Sequence, residues 1–321
     1  MTEAAPPWPL ALLTGWLGAG KTTLVRALLT RPGLRDTVVV VNEFGAVGID
    51  HELIAAVHGD VVLLRGGCLC CGVRQDLART LRDLHLGVRG GRLPWFARVI
   101  VEASGLADPG SVAATLLAHP LVADAYRLRS ITTLVDAEHG AAQLAAHATA
   151  AAQVAVADRI LLTKPDRVAP AAAAALRARL AALNPIAPIQ ACCFGATDPA
   201  PLFAPQTAPL PRRRAGALHA AHAADIQSRV LTADRPLAWP AVQDFVATLL
   251  ATAGDRLLRL KGILDLAGQN RPVVMQAVHH SCYPLDTLPA WPAGQRESRL
   301  VLIAAGALPA GLQPQFGRCA A

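Results

Sequence analysis

Lysine is almost missing from this 321-residue chain: of 30 basic residues only Lys21, Lys164 and Lys261 are not arginine. Where any cation serves, the chain uses a guanidinium, so the three lysines are expected where a compact ammonium is required. Aromatic side chains are also scarce, at 4%. With arginines scattered along the chain, that argues against a nucleic-acid surface, which needs stacking rings beside a basic stripe. The one basic run, Arg212–Arg214, lies among prolines and reads as a solvated linker. Long apolar runs are absent too. Hydrophobic residues make up 53% of the chain and mean hydropathy is +0.36, yet no uninterrupted stretch reaches the roughly 18–20 residues that cross a bilayer. Glu3 and the lack of basic residues before Leu10–Leu13 argue against a secretory leader. A cytoplasmic protein is expected, without nucleic acid or membrane among its partners. Its net charge of +7 suits an anionic ligand, and a nucleotide is anion enough.

Against this sparse background stands "GGCLCCG" (66–72), with Cys68, Cys70 and Cys71 inside four positions. A disulfide staple, a redox centre and a metal site with an open position are the competing readings. In the cytoplasm structural disulfides are uncommon, so the latter two lead.

The first half alternates short apolar runs (10–14, 37–43, 61–64, 98–102, 131–137, 159–163) with helical Ala/Leu/Arg segments (21–30, 73–86, 169–183). That order predicts an α/β fold, a mostly parallel sheet covered by helices on both faces. After Asn184-Pro185 the texture changes. The Pro/Ala-rich segment 197–225 has no clear period and reads as linker. Beyond it, apolar runs surround one helix at 240–253, giving a smaller α+β domain. The expected divisions are 1–204, a linker at 205–224, and 225–321.

"GWLGAGKTT" (15–23) follows the first strand and opens the first helix. It fits G-x-x-x-x-G-K-[ST] with Gly15, Gly20, Lys21 and Thr22, the signature of a P-loop. Backbone N–H groups, including those of Gly18, Ala19 and Thr23, should cradle phosphates. Lys21 should reach the β- and γ-phosphates, and the Thr22 hydroxyl should ligate Mg²⁺. "LLTKPD" (161–166) ends a later strand, where ligand loops lie in an open α/β sheet. Asp166 could accept two hydrogen bonds from a guanine edge while the Lys164 stem packs along the base. Thr163 stands where GTPases usually have Asn. In "VIVEASGLADP" (99–109), Glu102 lies three residues before Gly105, placed to hold the Mg²⁺ shell and sense the γ-phosphate. The bland alternative there is a helix start capped by Ser104 or Asp108.

With these pieces in place the sequence resembles the CobW-type P-loop GTPases, metal chaperones and metal-centre assembly factors. "GWLGAGKTT", "NEFGAVGID", "GGCLCCG", "EASGLADP", "LVDA" and "TKPD" carry the resemblance, and "LLRLKGILDL", "VVMQAVHH" and "SRLVLIAAG" extend it to the family's C-terminal domain. It implies GTP hydrolysis coupled to metal delivery, with the cysteine triplet as metal site. Two departures stand out. Ala46 occupies a position usually acidic in the family, and no histidine-rich tract is present. His219, His222 and "HHSC" (279–282) are the nearest substitutes, but His279 and His280, read as strand residues, should point to opposite faces.

Adjacent Cys70 and Cys71 make poor disulfide partners, and the spacing is not the C-x-x-C of redox motifs. Three thiolates suit a soft or borderline ion such as Zn²⁺, Cu⁺ or, less typically, Co²⁺ or Ni²⁺; zinc leads on ligand type, and the resemblance, whose family includes cobalamin-pathway proteins, puts cobalt next. The fourth position is left to water, to Glu43 or to a receiving protein, and an open site suits transfer. Cys192, Cys193, Cys282 and Cys319 read as core or incidental residues. Glu43 or Asp50 should help place the attacking water. The expected partners are GTP or GDP and a metal-dependent client, with self-association left open. The rival functions are cobalt handling in cobalamin synthesis, passive zinc buffering, and a P-loop kinase, for which no phosphoacceptor motif is present.

Overall fold

Runs of Val, Ile and Leu become strands here because branched side chains fit a pleated surface, while the Ala/Leu/Arg segments lose little freedom in helices. The computed structural model describes residues 6–42, 64–65, 73–204, 226–292 and 296–321. Glu43, Ala46, Asp50, the cysteine triplet, Arg212–Arg214, His219 and His222 lie outside the described residues. The chain forms two compact units, residues 1–143, 157–177 and 188–206, and residues 144–156, 178–187 and 207–321.

In the first unit, strands β1 (Trp8–Thr14), β2 (Thr37–Asn42), β3 (Leu64–Arg65), β4 (Arg98–Ala103), β5 (Tyr126–Asp136), β6 (Arg159–Thr163) and β7 (Ile189–Cys192) form one sheet. Its order is β3-β2-β4-β1-β5-β6-β7, with every neighbouring pair parallel. Parallel neighbours require crossover connections. Helices α1 (Lys21–Leu29), α2 (Val73–Arg89), α3 (Pro109–Ala118) and α4 (Pro120–Ala125) lie in such connections. Leu13, Leu24, Leu28, Val39, Ile100, Leu134 and Leu161 share one core cluster.

Two elements exceed the sequence expectation. β5 begins at Tyr126 because Trp8 pairs with it in register. The Trp8 ring lies 4.6 Å from Phe96 and 5.6 Å from Tyr126, with His85 edge-on at 5.5 Å. Four rings, Trp8, His85, Phe96 and Tyr126, are thus gathered at the entry end of β1. The second is the segment read as linker from 197. A short turn of helix, Ala200–Phe203, buries Leu202 completely, and its carbonyl accepts from Ser130 Oγ at 2.6 Å. Residues 197–204 are therefore packed structure; proline-rich composition hid a single anchoring leucine.

The second unit holds an antiparallel sheet of β8 (Ile226–Ala233), β9 (Leu257–Leu264), β10 (Val273–Val278), β11 (Ser281–Cys282), β12 (Asp286–Thr287) and β13 (Ser298–Ala305). The helix Trp239–Ala253 packs Phe245 and Leu249 with Leu260, Leu264 and Phe316 on one face. On the other face Arg259 is fully buried, donates to Gln276 Oε1 at 2.7 Å and lies 5.7 Å over the Tyr283 ring. Lys261 is buried on that same face. Residues 148–155 of the same unit pack against β9 and β13.

The strand reading of His279 and His280 needs correction. β10 ends at Val278, and both histidines occupy the turn to β11, His279 with φ 48°. Their rings are 6.2 Å apart, and His280 Nε2 lies 2.9 Å from Asp255 Oδ1. Among the described residues no group of three or more His, Cys, Asp or Glu is placed to hold a metal ion, so "HHSC" makes no such site.

Candidate functional site

The exit ends of β1, β4, β5 and β6 bring four loops together. Register places Leu13 beside Glu102 and Thr132, and Asp136 beside Thr163. After β1 the chain turns at Gly15 with φ 136°. A Cβ there would lie 2.3 Å from the Leu134 carbonyl oxygen, so only glycine lets the loop leave the strand flush against β5. Gly20, left-handed at φ 93°, is the N-cap of α1. No side chain caps this helix and no acidic residue stands in its first turn. Its leading N–H groups and positive dipole end therefore face the loop, a suitable seat for an anion.

Lys21 is buried, and its Nζ donates to the Gly15 carbonyl at 2.8 Å and the Trp16 carbonyl at 3.3 Å. Thr22 Oγ1 donates to Glu102 Oε1 at 2.8 Å across 80 residues of sequence. One hydroxyl and one carboxylate, held together at the edge of the phosphate loop, are the hard oxygen donors that Mg²⁺ takes. A Cβ on Gly105 would lie 2.7 Å from Leu17 N, so the loop after β4 is pressed against the phosphate loop. Asp108 caps α3, accepting from Gly110 N at 3.1 Å and Ser111 N at 3.0 Å. The capping and switch readings of this segment are therefore compatible.

Thr163 in place of Asn has a visible role. Its Oγ1 lies 2.9 Å from the Ala19 carbonyl oxygen and 3.2 Å from that of Val135, tying β6 to the phosphate loop. Lys164, left-handed at φ 53°, donates to Asp136 Oδ2 at 2.5 Å and to the Gly18 carbonyl at 3.0 Å. Asp136 also accepts from the backbone N–H of Glu138 at 2.8 Å. Burial alone would raise the Asp136 carboxyl, but the Lys164 hydrogen bond and charge and the backbone donors outweigh it and hold it below the usual carboxylate range. Asp166 is exposed at the rim of a cavity of about 160 Å³, with Thr23, Thr163, Lys164, Phe194 and Gly195 among its walls.

The structure thus brings together Gly15, Gly18, Ala19, Gly20, Lys21, Thr22, Thr23, Glu102, Gly105, Thr163, Lys164 and Asp166. Asp136 was passed over as a site residue. Its signal was the carboxylate ending "LVDA", a strand end beside the "TKPD" strand. Asp136→Asn should weaken guanine-nucleotide binding about tenfold, the scale of a charge-assisted hydrogen bond. Because the folded carboxyl is depressed, its contribution is complete above the ordinary carboxylate pKa and lost as pH falls through the lowered folded value. The unfolding free energy of the nucleotide-free protein, measured by denaturant titration across pH, should therefore show an acid limb that shrinks in Asp136→Asn. An unchanged limb would place the titrating group elsewhere.

A profile for the CobW/HypB/UreG nucleotide-binding domain matches residues 9–191, and one for the cobalamin synthesis protein CobW C-terminal domain matches residues 226–320. The chain is 34% identical over 302 residues to the zinc chaperone YjiA of Escherichia coli, covering 92% of this chain and 94% of that protein. It is 32% identical over 210 residues to the zinc chaperone CobW of Pseudomonas aeruginosa, 56% of this chain and 54% of that protein. The crystal structure of Zn(II)-bound YjiA GTPase from E. coli superposes with a TM-score of 0.73 at 28% identity, covering 99% of this chain and 100% of that one.

Proposed function

The chain belongs to the CobW/HypB/UreG nucleotide-binding family and carries the CobW C-terminal domain, and from that premise we propose that it hydrolyses GTP to drive delivery of zinc to a client protein. The observation that carries the hydrolytic part is the Thr22–Glu102 contact beside the buried Lys21. Bound Mg²⁺ would neutralise the phosphate charge that builds during transfer. Thr22 and Glu102 would hold it, so the hydrogen bond between them gives way when nucleotide enters. Lys21 exchanges two backbone carbonyls for phosphate oxygens. Asp166 accepts the guanine N–H edge, and Lys164, braced by Asp136, lays its stem along the base. Glu43 or Asp50 orients the attacking water.

Zinc is the cargo. Cys68, Cys70 and Cys71 supply three thiolates in the sequence between β3 and α2, and the names of the relatives favour zinc over cobalt. In sequence, Glu43 directly follows β2 and the triplet lies between β3 and α2, while Glu102 sits near the end of β4, and β3, β2 and β4 are neighbours in the sheet. A γ-phosphate that orders one of these segments changes the surroundings of the others.

Zinc affinity should be measured anaerobically by competition with a chelating dye, on nucleotide-free protein, with Mg-GDP and with a non-hydrolysable Mg-GTP analogue. Delivery predicts a nucleotide-dependent change of about tenfold, within the usual range of coupling free energies. By reciprocity zinc must change nucleotide affinity by the same factor. Equal affinity in all three states would leave a passive zinc buffer and remove the delivery mechanism.

A further inference from the structure

Three described residues other than glycine adopt positive φ, and two of them, Lys164 (φ 53°) and Phe194 (φ 48°), line the same cavity. Phe194 is the anomalous one. Ala196 N donates to the Cys193 carbonyl at 2.8 Å, closing a tight turn with Phe194 and Gly195 at its centre, both at positive φ (48° and 77°). Turns of that kind select Asn, Asp or Gly at the first central position, because a bulky side chain there crowds its own backbone. Phenylalanine is a poor choice for the turn, and its ring recovers nothing by packing, being 80% exposed.

The turn is nevertheless firmly seated. Cys192 on one side is 1% exposed within the core of the first unit. Gly195 on the other sits so close to α1 that a Cβ would lie 2.4 Å from the Ala27 Cβ. The backbone thus holds an exposed ring at the lip of the cavity whose other walls include Thr23, Thr163, Lys164, Asp166 and Arg167. Strain concentrated in one ligand-sized space, with an unburied ring beside it, is the arrangement expected where a ligand supplies the missing contact.

We propose that Phe194 is the stacking platform for the purine ring, covering the base face opposite the Lys164 stem. The inference rests on the guanine-nucleotide reading of this cavity and deepens it. Asp166 reads the hydrogen-bonding edge and decides which purine is held. Phe194 contributes face contact that every purine shares, so it sets affinity without setting identity. A flat aromatic surface is required for this; an aliphatic side chain of similar bulk fills the space without the same contact.

Isothermal titration of wild type, Phe194→Asn, Phe194→Leu and Phe194→Tyr with Mg-GDP and with inorganic tripolyphosphate tests it. Phe194→Asn and Phe194→Leu should bind GDP about tenfold more weakly, about 1.4 kcal/mol, with tripolyphosphate affinity unchanged. Phe194→Tyr should stay near wild type. Phe194→Asn should also melt a few degrees higher without nucleotide, since Asn tolerates the left-handed turn. GDP binding at wild-type strength in both the Asn and Leu variants would overturn the proposal. So would a parallel loss for tripolyphosphate, which would mean a collapsed loop. A wild-type protein that binds GDP no better than tripolyphosphate would instead defeat the guanine reading itself, and this proposal with it.

Discussion

Lys21→Arg is expected to lower GTP turnover by about 10²–10³-fold, the usual cost of losing one preorganised donor to the transferring phosphoryl group. The fold should survive, with the melting temperature within a few degrees of wild type. Lys21 begins α1 behind a loop whose glycines allow close backbone approach, and its ammonium already rests on the Gly15 and Trp16 carbonyls. A point charge can transfer from those oxygens to phosphate oxygens in the same small space. A planar guanidinium is wider, and its fork cannot enter between the carbonyls and a phosphate. In a chain that elsewhere uses arginine for nearly every cation, lysine at this position is itself informative. Steady-state hydrolysis at saturating GTP beside a thermal melt checks the expectation. Turnover within a few-fold of wild type would mean that charge alone, without shape, suffices at this position.

Replacing Cys68, Cys70 and Cys71 together by serine should reduce zinc affinity by at least about 10³-fold, since un-ionised hydroxyls replace three soft thiolates. With zinc absent, GDP affinity should be unchanged, because the residues proposed to hold the nucleotide are untouched. Nothing among the described residues stands ready to take over the ion. Cys192 and Cys319 are buried, and burial raises both thiols, keeping them protonated and poor as ligands. Cys193 and Cys282 are exposed but lie in different units of the chain. Dye competition on the variant under anaerobic conditions decides the matter. Retained affinity would move the zinc site away from the triplet.

The parts of the site that were legible in the sequence are those whose chemistry is local. A glycine loop that must curl around phosphate keeps all its determinants within nine residues, and so does a strand-borne Thr-Lys-Pro-Asp turn. Composition was misleading where one residue outweighs its neighbours. Leu202 anchors a proline-rich stretch that otherwise reads as linker. Tyr126 extends β5 because Trp8 lies beside it in the sheet. Burial of Arg259 and Lys261 inside the second unit was equally hidden, since strand alternation ordinarily assigns such residues to solvent.

What the sequence determined by itself was the fold class, the P-loop, the Thr-Lys-Pro-Asp turn and the thiol cluster, because periodicity and motif spacing act over a few residues. Tertiary structure alone decided how those pieces cooperate. Strand order sets β5 between β1 and β6, so Asp136 meets a lysine 28 residues away and Thr163 meets a carbonyl 144 residues away. The same sheet seats Cys192 in the core while Gly195 presses on α1, leaving Phe194 at the cavity lip. Hydrogen bonds and close packing act over a few ångströms of space, and distance along the chain does not report that separation until the sheet is assembled.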